Sequence, residues 1–495
     1  MEKSEIQKLV HRRQYLLAPE QIECPYINNA LKIGSQYWLY AHPDLVLTEF
    51  KTKEKQLVLL GDMFDFVDPD KDNSGILKEL ANLGLNELLK KCGDFAGRYV
   101  LILIEGERFI VLHDATAARK VYFSERYGKV WFGSNQHLLA NVLRLNATQN
   151  ISKLGYYWSA DFNRLNNSDL GNTTYYDEIS QLMSNHYFDV YNKNEIRYWP
   201  LEPLQKYSFQ EVAEKCTSIL TGHLKSIVKR YDIMLPVTAG GDSRLLMSAT
   251  RAFSKDVFYY INQIEHTARE TSDIKISGKL FGKLGMDFNI LPINSEVDPE
   301  FKKIYFANNP FATKFFLPHI YNYYLNYQDK VNLPGNIASS PWMVYQVDKK
   351  NVSITDITKY YQVNRYEFVQ DYYSRWMQTN IALCNCCNLN VMNLFYWEER
   401  INNWGNQIAG DKDIAQEDIN PLNSRILNEL YLSLPLKYNN EPDKKLHKKI
   451  ILNLWPELMK LPFNPSRRTY AMLLLARMGI FTPLARTLYK TSSKK

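Results

Sequence analysis

The sequence predicts a mixed fold, with an antiparallel sheet and helices (α+β) in the first part and a doubly wound parallel sheet (α/β) in the second. The first part carries short segments rich in β-branched and aromatic residues, separated by turn-like residues. The second part alternates apolar strand segments with helical periodicity, which is typical of a parallel sheet with crossover helices. The strand segments of the first part are Tyr99–Glu105, Arg108–Asp114, Lys120–Glu125 and Lys129–Ser134.

Two helical stretches and a boundary complete the first part. The helical stretches are predicted at Ser74–Lys91 and around Gln136–Leu143. The composition changes at Arg197–Gln205, where two prolines flank a linker. We therefore predict one domain over residues 1–196 and a second over residues 205–495.

The second part begins with a helix over Phe209–Tyr231, whose apolar residues recur at helical spacing. A buried strand, a glycine turn and a helix start follow. A strand at Lys255–Gln263, a helix at Thr271–Gly285 and a strand at Met286–Ile293 come next. From about Phe301 onward the chain is predicted to be mostly helical.

Composition limits what the chain can be. Hydrophobic residues make up 45% of the 495 residues, enough for sizeable cores, which excludes a disordered chain. The net charge of +7 is spread along the chain and does not by itself indicate a nucleic-acid partner. No apolar run reaches the length of about eighteen residues that a membrane span needs. The tail Ala471–Lys495 is interpreted as a docked helix with a frayed end, with a membrane-surface segment as the alternative.

The six cysteines do not form a disulfide framework. Cys384, Cys386 and Cys387 crowd together, but their spacing does not match the usual zinc pairs and no histidine lies nearby. They are interpreted as small buried side chains rather than a metal or redox site. Reduced thiols are typical of a cytoplasmic protein.

The segment with the strongest chemical signal is a six-residue turn between the buried strand and the following helix. Small residues there let backbone N–H groups approach a phosphate, and the helix N-terminus adds its positive dipole. An aspartate can hold the Mg²⁺ that accompanies ATP, and a serine can donate to a phosphate oxygen. The alternative is a tight turn in which Asp242 or Ser243 caps the helix. The turn consists of Thr238, Ala239, Gly240, Gly241, Asp242 and Ser243.

This turn resembles the SGGxDS pyrophosphate loop of the asparagine synthetases and other PP-loop ATP pyrophosphatases. Thr238 stands for the serine and Ala239 for the first glycine, and both departures are small residues. The resemblance implies that all six residues bind ATP and its pyrophosphate, and that Asp242 holds Mg²⁺. Further blocks resemble the family in its order: Ser272 and Asp273 with the helix after them, Phe395–Gln407, Asp418–Pro435, and Leu446–Pro462.

The first part is similar to the class II glutamine amidotransferase domain, which implies an antiparallel β-sandwich. Leu59–Asp65 matches the family's GEIYN block, and GDFAGRYVLI, LHDATAARKVYF and WFGSNQHLL match three later blocks. The glutaminases use an N-terminal cysteine whose own amine is the base. Here the chain reads Met1-Glu2, and Cys24 is the first cysteine. Cys92 and Asp65 replace glutamine-binding residues, so glutamine hydrolysis is not expected, as in the similar β-lactam synthetases and lasso-peptide cyclases.

Two other positions depart from the family. The loop that supplies a second magnesium carboxylate corresponds to Leu333–Ser340, with Gly335 at the phosphate and Ser339 and Ser340 in place of Asp and Glu. Lys460 is the best match to the lysine that stabilises transition-state charge. Lys448 and Lys449 are alternatives, and each lysine could instead cap a helix C-terminus.

The resemblance implies an ATP-dependent amide-forming ligase that adenylates a substrate carboxylate for attack by ammonia or an amine. The implied cofactors are ATP and Mg²⁺, and the carboxylate belongs to a small molecule, a peptide or a carbohydrate. One alternative is a catalytically impaired, nucleotide-binding pseudoenzyme. Another is a tRNA-modifying PP-loop enzyme, which needs a basic RNA-binding face that the sequence does not show. A homodimer is left open.

Overall fold

The described residues of the first part of the protein form twelve strands. The computed structural model describes residues 3–24, 30–263, 272–293, 296–336, 352–435, 438 and 444–463. Within these residues the strands are β1 (Tyr15–Ala18), β2 (Ala30–Ile33), β3 (Tyr37–Ala41), β4 (Leu47–Lys51), β5 (Lys55–Phe64), β6 (Ala96–Glu105), β7 (Arg108–His113), β8 (Tyr122–Arg126), β9 (Lys129–Gly133), β10 (Ser180–Gln181), β11 (His186–Asp189) and β12 (Asn194–Arg197).

These strands build two antiparallel six-stranded sheets, in the orders β10-β8-β9-β1-β3-β2 and β12-β11-β7-β6-β5-β4. Side chains of β5 alternate between two cores because successive residues of a strand point to opposite faces. Val58 and Leu60 lie in the core that includes residues of both sheets. Leu57 and Leu59 pack instead against the helices that cover the outer face. The predicted β-sandwich with helices is confirmed.

Where the structure describes the first part, six helices accompany the sandwich. They are α1 (Lys3–Leu9), α2 (Asn73–Ala81), α3 (Leu85–Lys91), α4 (Gln136–Leu143), α5 (Ile151–Tyr157) and α6 (Ala160–Arg164). The helical stretch predicted over Ser74–Lys91 is therefore two helices. The C-cap of the first is Asn82, and the N-cap of the second is Gly84, whose N–H donates to the Glu87 side chain at 3.3 Å.

The second part contains a four-stranded parallel sheet. Its strands are β13 (Asp232–Pro236), β14 (Val257–Asn262), β15 (Asn289–Leu291) and β16 (Lys330–Asn332), in the order β15-β14-β13-β16. Helix α7 (Phe209–Val228) precedes β13. Helix α8 (Gly241–Ala249) and a short 3-10 helix at Arg251–Asp256 lie between β13 and β14, and α9 (Ser272–Leu284) lies between β14 and β15. The strand order confirms the predicted doubly wound sheet, since β13 has parallel neighbours on both sides.

The remaining described residues of the second part are mostly helical, as predicted. The elements are α10 (Pro299–Asn308), a 3-10 turn at Lys314–Phe316, α11 (Leu317–Asn326), α12 (Ile354–Tyr361), α13 (Glu367–Cys386), α14 (Val391–Phe395), a π-helix at Tyr396–Gly405, α15 (Asn406–Lys412), α16 (Arg425–Leu432), α17 (Lys445–Leu454) and a 3-10 helix at Pro456–Lys460. Among the described helices, none is both long and apolar enough to cross a membrane. The tail Ala471–Lys495 lies outside the described residues.

Buried ion pairs join the two parts. The Arg98 guanidinium donates to both carboxylate oxygens of Asp413 at 2.5 and 2.8 Å. Arg119 donates to Glu417 at 2.6 Å, and Arg98 reaches the same carboxylate at 3.0 Å. Removing one partner of a buried pair leaves an uncompensated buried charge, so these pairs tie the sandwich to the segment after α15.

Candidate functional site

The predicted phosphate-binding turn lies where the fold requires it, between β13 and α8. Ala239 is 1% exposed, and Gly240 is the N-cap of α8 in an extended conformation without a side-chain cap. Four residues, 237–240, separate the end of β13 from the start of α8. The first helical residues, Gly241, Asp242 and Ser243, have N–H groups without an intrahelical carbonyl partner. These donors face outward from the helix N-terminus, which attracts anions.

Hydrogen bonds within the turn hold its shape. The Ser243 hydroxyl accepts the Thr238 N–H at 3.0 Å and lies 3.1 Å from the Thr238 hydroxyl. The Thr238 hydroxyl in turn accepts the Gly240 N–H at 3.1 Å. Asp273, from the start of α9, accepts the Ala239 N–H at 2.9 Å. The hydroxyl groups of Thr238 and Ser243 and the N–H of Ala239 are therefore bonded within the turn or to Asp273. None of these contacts uses the first N–H groups of α8.

Asp242 forms an ion pair that the sequence did not predict. The Lys444 ammonium lies 2.6 Å from the Asp242 carboxylate, with the two side chains 10% and 29% exposed. The buried His447 ring is 3.5 Å from the same oxygen. Lys444 precedes α17 with a left-handed backbone, φ 38°, which costs about 1 kcal/mol for a residue with a Cβ. The strained conformation places this lysine at the mouth of the turn.

The lysines favoured by the sequence lie elsewhere. Lys460 is exposed at the end of the last 3-10 helix. Within the described part of the chain, no ion pair shorter than 4 Å joins Lys460, Lys448 or Lys449 to Asp242, whereas Lys444 makes one. The catalytic role predicted for Lys460 is untested, and the geometry adds Lys444 as the cation nearest to the turn.

Gly335 approaches the turn from the end of β16, as its predicted role requires. A Cβ placed on Gly335 would lie 3.6 Å from the Ser243 nitrogen. Ser339 and Ser340, which replace the expected second carboxylate, lie outside the described residues. Gly335 therefore borders the helix start together with the six residues of the turn.

Arg244 fixes α8 against the chain after α17. Its guanidinium donates to the backbone carbonyls of Leu461 at 2.7 Å and Pro462 at 2.9 Å, and it packs over the Phe463 ring at 4.5 Å. Burial lowers the pKa of Arg244 to about 10. Arg244 follows the motif directly, but its partners are more than 200 residues away, so sequence analysis did not find it.

No protein-family model matches this sequence. No curated protein matches it either. Among solved structures, it is similar to the glutamine phosphoribosylpyrophosphate amidotransferase from B. subtilis complexed with ADP and GMP (10% identity, 61% of this chain, 89% of that chain, TM-score 0.24). It is also similar to the allosteric regulatory enzyme of purine biosynthesis (9% identity, 63% of this chain, 74% of that chain, TM-score 0.25). A third similar structure is the glutamine-dependent NAD+ synthetase from Acinetobacter baumannii in complex with ADP (12% identity, 50% of this chain, 62% of that chain, TM-score 0.19). Similarities at these TM-scores support no conclusion, so the relation to asparagine synthetases is still a prediction from the residues.

The positions that match glutamine-binding residues are engaged in local contacts. Asp65 accepts the Val67 N–H at 2.8 Å and the Lys71 ammonium at 3.1 Å. Cys92 is buried, and burial raises the pKa of its thiol to about 12. A carboxylate held this way and a protonated thiol are poor groups for binding an amino acid. Met1 and Glu2 lie outside the described residues.

Proposed function

We propose that this protein is an asparagine synthetase-like, AMP-forming carbon–nitrogen ligase. A carboxylate oxygen of the substrate attacks the α-phosphorus of ATP, and pyrophosphate leaves. Ammonia or an amine then attacks the acyl carbon, AMP leaves, and an amide is formed. The observation that supports this proposal is the open N-terminus of α8, directly after a parallel strand, with Asp242 and Lys444 paired at its mouth.

The turn would supply the donors for the phosphates. The N–H groups of Gly241, Asp242 and Ser243 point away from the helix and can donate to phosphate oxygens. Thr238 and Ser243 would keep the turn in shape through their shared hydroxyl contact. Gly335 would let the phosphates approach closely because it has no side chain.

The residues present fit a magnesium ion held mainly by ATP. The chemistry of the donor set decides this, because Mg²⁺ prefers oxygen ligands and keeps several waters. Asp242 contributes one carboxylate, and no group of three metal-ligating side chains occurs among the described residues. When bound, the ion would neutralise charge on the phosphates. Asp242 would hold it, and the Lys444 ammonium would stabilise the charge that grows on the departing pyrophosphate.

We also propose that the nitrogen does not come from glutamine hydrolysis. The engaged Asp65 and the buried Cys92 support this, since they replace glutamine-binding residues. Incubation of the protein with glutamine and ATP should release no glutamate above background. Release that depends on the protein and disappears in Cys24→Ala would refute this part of the proposal.

The substrates would be a carboxylate of a small molecule, peptide or carbohydrate, with ammonia or an amine as the second substrate.

All six cysteines are free thiols, which supports a reducing, cytoplasmic location. Cys384 and Cys387 are buried as predicted, whereas Cys386 is exposed, contrary to prediction.

A nucleotide-binding pseudoenzyme is the second candidate, and one observation favours it. The Asp242 carboxylate already lies against the Lys444 ammonium and the His447 ring. A carboxylate that is paired with a lysine is less available to a metal. ATP–pyrophosphate exchange, measured across a panel of carboxylates, separates the two candidates. Exchange with any carboxylate supports the ligase, whereas Mg·ATP binding without exchange across the panel supports the pseudoenzyme.

A further inference from the structure

A small cavity lies between the β-sandwich and the helical part, away from the ATP turn. Its volume is about 50 Å³, and its lining includes Arg13, Arg98, Arg119 and Lys120 as cationic side chains. The carboxylates in the lining are Asp169 and Asp413. A volume of this size holds roughly three or four non-hydrogen atoms, since a single water needs about 10–15 Å³ by the same measure.

The arginines of this cavity already have counter-charges. Arg98 is paired with Asp413, and Arg119 is paired with Glu417. Arg13 donates to the backbone carbonyl of Asp413 at 2.7 Å. The Arg13 Nε also lies 3.6 Å from the Glu417 carboxylate, and burial lowers the pKa of Arg13.

Lys120 is compensated least. Its ammonium donates to the backbone carbonyl of Asn402, a neutral acceptor. Among the described residues, no carboxylate lies within ion-pair distance of this ammonium, although Asp169 and Asp114 attract it from further away. Burial lowers the pKa of Lys120 to about 7. An ammonium has three donors, so a ligand in the cavity has two of them available.

The N-terminus of α4 borders the same cavity through Asn135 and Gln136. Asn135 caps the helix with its side-chain oxygen, which accepts the N–H groups of His137 and Leu138 at 2.8 and 3.3 Å. The NH₂ group of Asn135 is therefore left for another acceptor, and the helix dipole adds positive potential.

Of the two carboxylates in the lining, Asp413 is paired with Arg98, and Asp169 is held by hydrogen bonds. Asp169 accepts hydrogen bonds from Gln136 at 2.9 Å and from Tyr157 at 2.7 Å. Burial raises the pKa of the Asp169 carboxyl. The lining thus combines an under-compensated ammonium, a guanidinium, an amide and a helix N-terminus.

We propose that this cavity binds a small carboxylate, with the Lys120 ammonium, the Asn135 amide and Arg13 as its donors. The site lies in the joint between the two parts and is separate from the proposed ATP site. The shared chemistry is a planar carboxylate, either a free one of acetate size or the end of a longer molecule. Binding would stabilise the joint between the sandwich and the segment after α15.

Thermal unfolding of the full chain, with acetate compared against chloride at equal ionic strength, tests this proposal. Acetate should raise the melting temperature in a saturable way that chloride does not. A parallel series with hexanoate identifies the source. A response to acetate alone indicates a free anion, and a response to both indicates the end of a longer carboxylate.

Two variants make the test specific. Lys120→Met removes the ammonium, and Asn135→Asp keeps the helix cap but adds a negative charge, so each should weaken acetate binding about tenfold or more, the scale of a charge-assisted hydrogen bond. Lys129→Met, whose 51%-exposed lysine lies on β9, is the matched control and should respond like the unaltered protein. The proposal fails if acetate has no saturable effect on the unaltered protein. It also fails if Lys120→Met or Asn135→Asp, once folded, responds to acetate as the unaltered protein does.

Discussion

The Asp242–Lys444 pair offers a direct test of the ligase proposal, through Lys444→Met and Asp242→Asn. Methionine keeps most of the lysine stem and removes the charge, and asparagine keeps the shape of aspartate. The ammonium and carboxylate are 2.6 Å apart, and Lys444 is nearly buried while Asp242 is about one-third exposed. The two substitutions therefore remove one charge each from a partly buried pair.

The magnitude follows from this partial burial. An exposed pair contributes about 0.2–1 kcal/mol, whereas removing one partner of a fully buried pair costs about 3–5 kcal/mol. Asp242→Asn leaves a nearly buried ammonium without its counter-charge, so we expect a loss of about 1–2 kcal/mol of unfolding free energy. Lys444→Met leaves the more exposed carboxylate in contact with water and should cost less. The double variant should be more stable than the sum of the two losses predicts.

The effect on function should differ between the two residues. If Asp242 holds the ion that accompanies ATP, Asp242→Asn should weaken Mg·ATP binding measured by calorimetry. Lys444→Met should leave Mg·ATP binding intact, because it frees Asp242, yet lower ATP–pyrophosphate exchange about 10²-fold or more. Lys445→Met, an exposed neighbour on α17, is the matched control.

Two results would refute this reasoning. Unchanged Mg·ATP binding in Asp242→Asn would make Asp242 a structural residue of the helix start. Unchanged exchange in Lys444→Met would remove the lysine from the chemistry. Lys460→Met then decides the remaining question, since a loss of exchange in that variant alone would support the lysine that the sequence favoured.

Three further predictions concern stability and reactivity. Burial raises the pKa of Glu399 to about 8, above its unfolded value, so its contribution to stability is complete below about pH 4.5 and is lost as the pH rises towards 8. Glu399→Gln should therefore reduce the loss of stability between pH 5 and 8 by about 1–3 kcal/mol in urea denaturation, and an unchanged pH slope would contradict this. Arg98→Met should lower the free energy of unfolding by about 3–5 kcal/mol because it leaves the buried Asp413 without its partner. Arg108→Met, in an exposed pair, should lower it by under about 1 kcal/mol. Equal losses in denaturant titrations would refute the structural role of Arg98. Iodoacetamide should label the exposed Cys386 in the native protein and spare the buried Cys384, because burial raises the pKa of the Cys384 thiol to about 12. Peptide mass spectrometry gives the readout, and labelling of both cysteines at the same rate would show that Cys384 is not buried.

Regular elements with strong local signals were predictable from the sequence. The helix at Gln136–Leu143 has the predicted bounds because Asn135 provides a local N-cap and apolar residues recur at helical spacing. The strands between Ala96 and Gly133 were found because their residues are β-branched or aromatic. In β4, exposed and half-buried residues alternate through LTEFK. Charged residues in such an edge strand hide the strand signal.

The π-helix at Tyr396–Gly405 shows what local patterns cannot predict. Its polar side chains suggest a solvated helix face, yet Glu398 and Asn402 are buried. Glu398 pairs with Arg197, and Asn402 accepts the Ser184 N–H and hydroxyl at 2.9 and 2.8 Å. These partners come from the sandwich about 200 residues earlier in the chain. Only the tertiary fold makes these polar residues interior ones.

The candidate site divides in the same way. The strand, the glycine turn and the helix start were predictable because they are contiguous within Asp232–Ala249, whereas phosphate binding by the turn is still a prediction. The cation beside Asp242 was not predictable from the sequence, because Lys444 lies 202 residues away along the chain. Lys460 was favoured because its segment is the best match to the lysine segment of the family that the sequence resembles. Lys444 precedes α17, and its left-handed backbone, rather than helical periodicity, places it against Asp242. A strained residue of this kind carries no periodic signal, so the catalytic lysine of such a site has to be sought among residues that flank a helix as well as those within it.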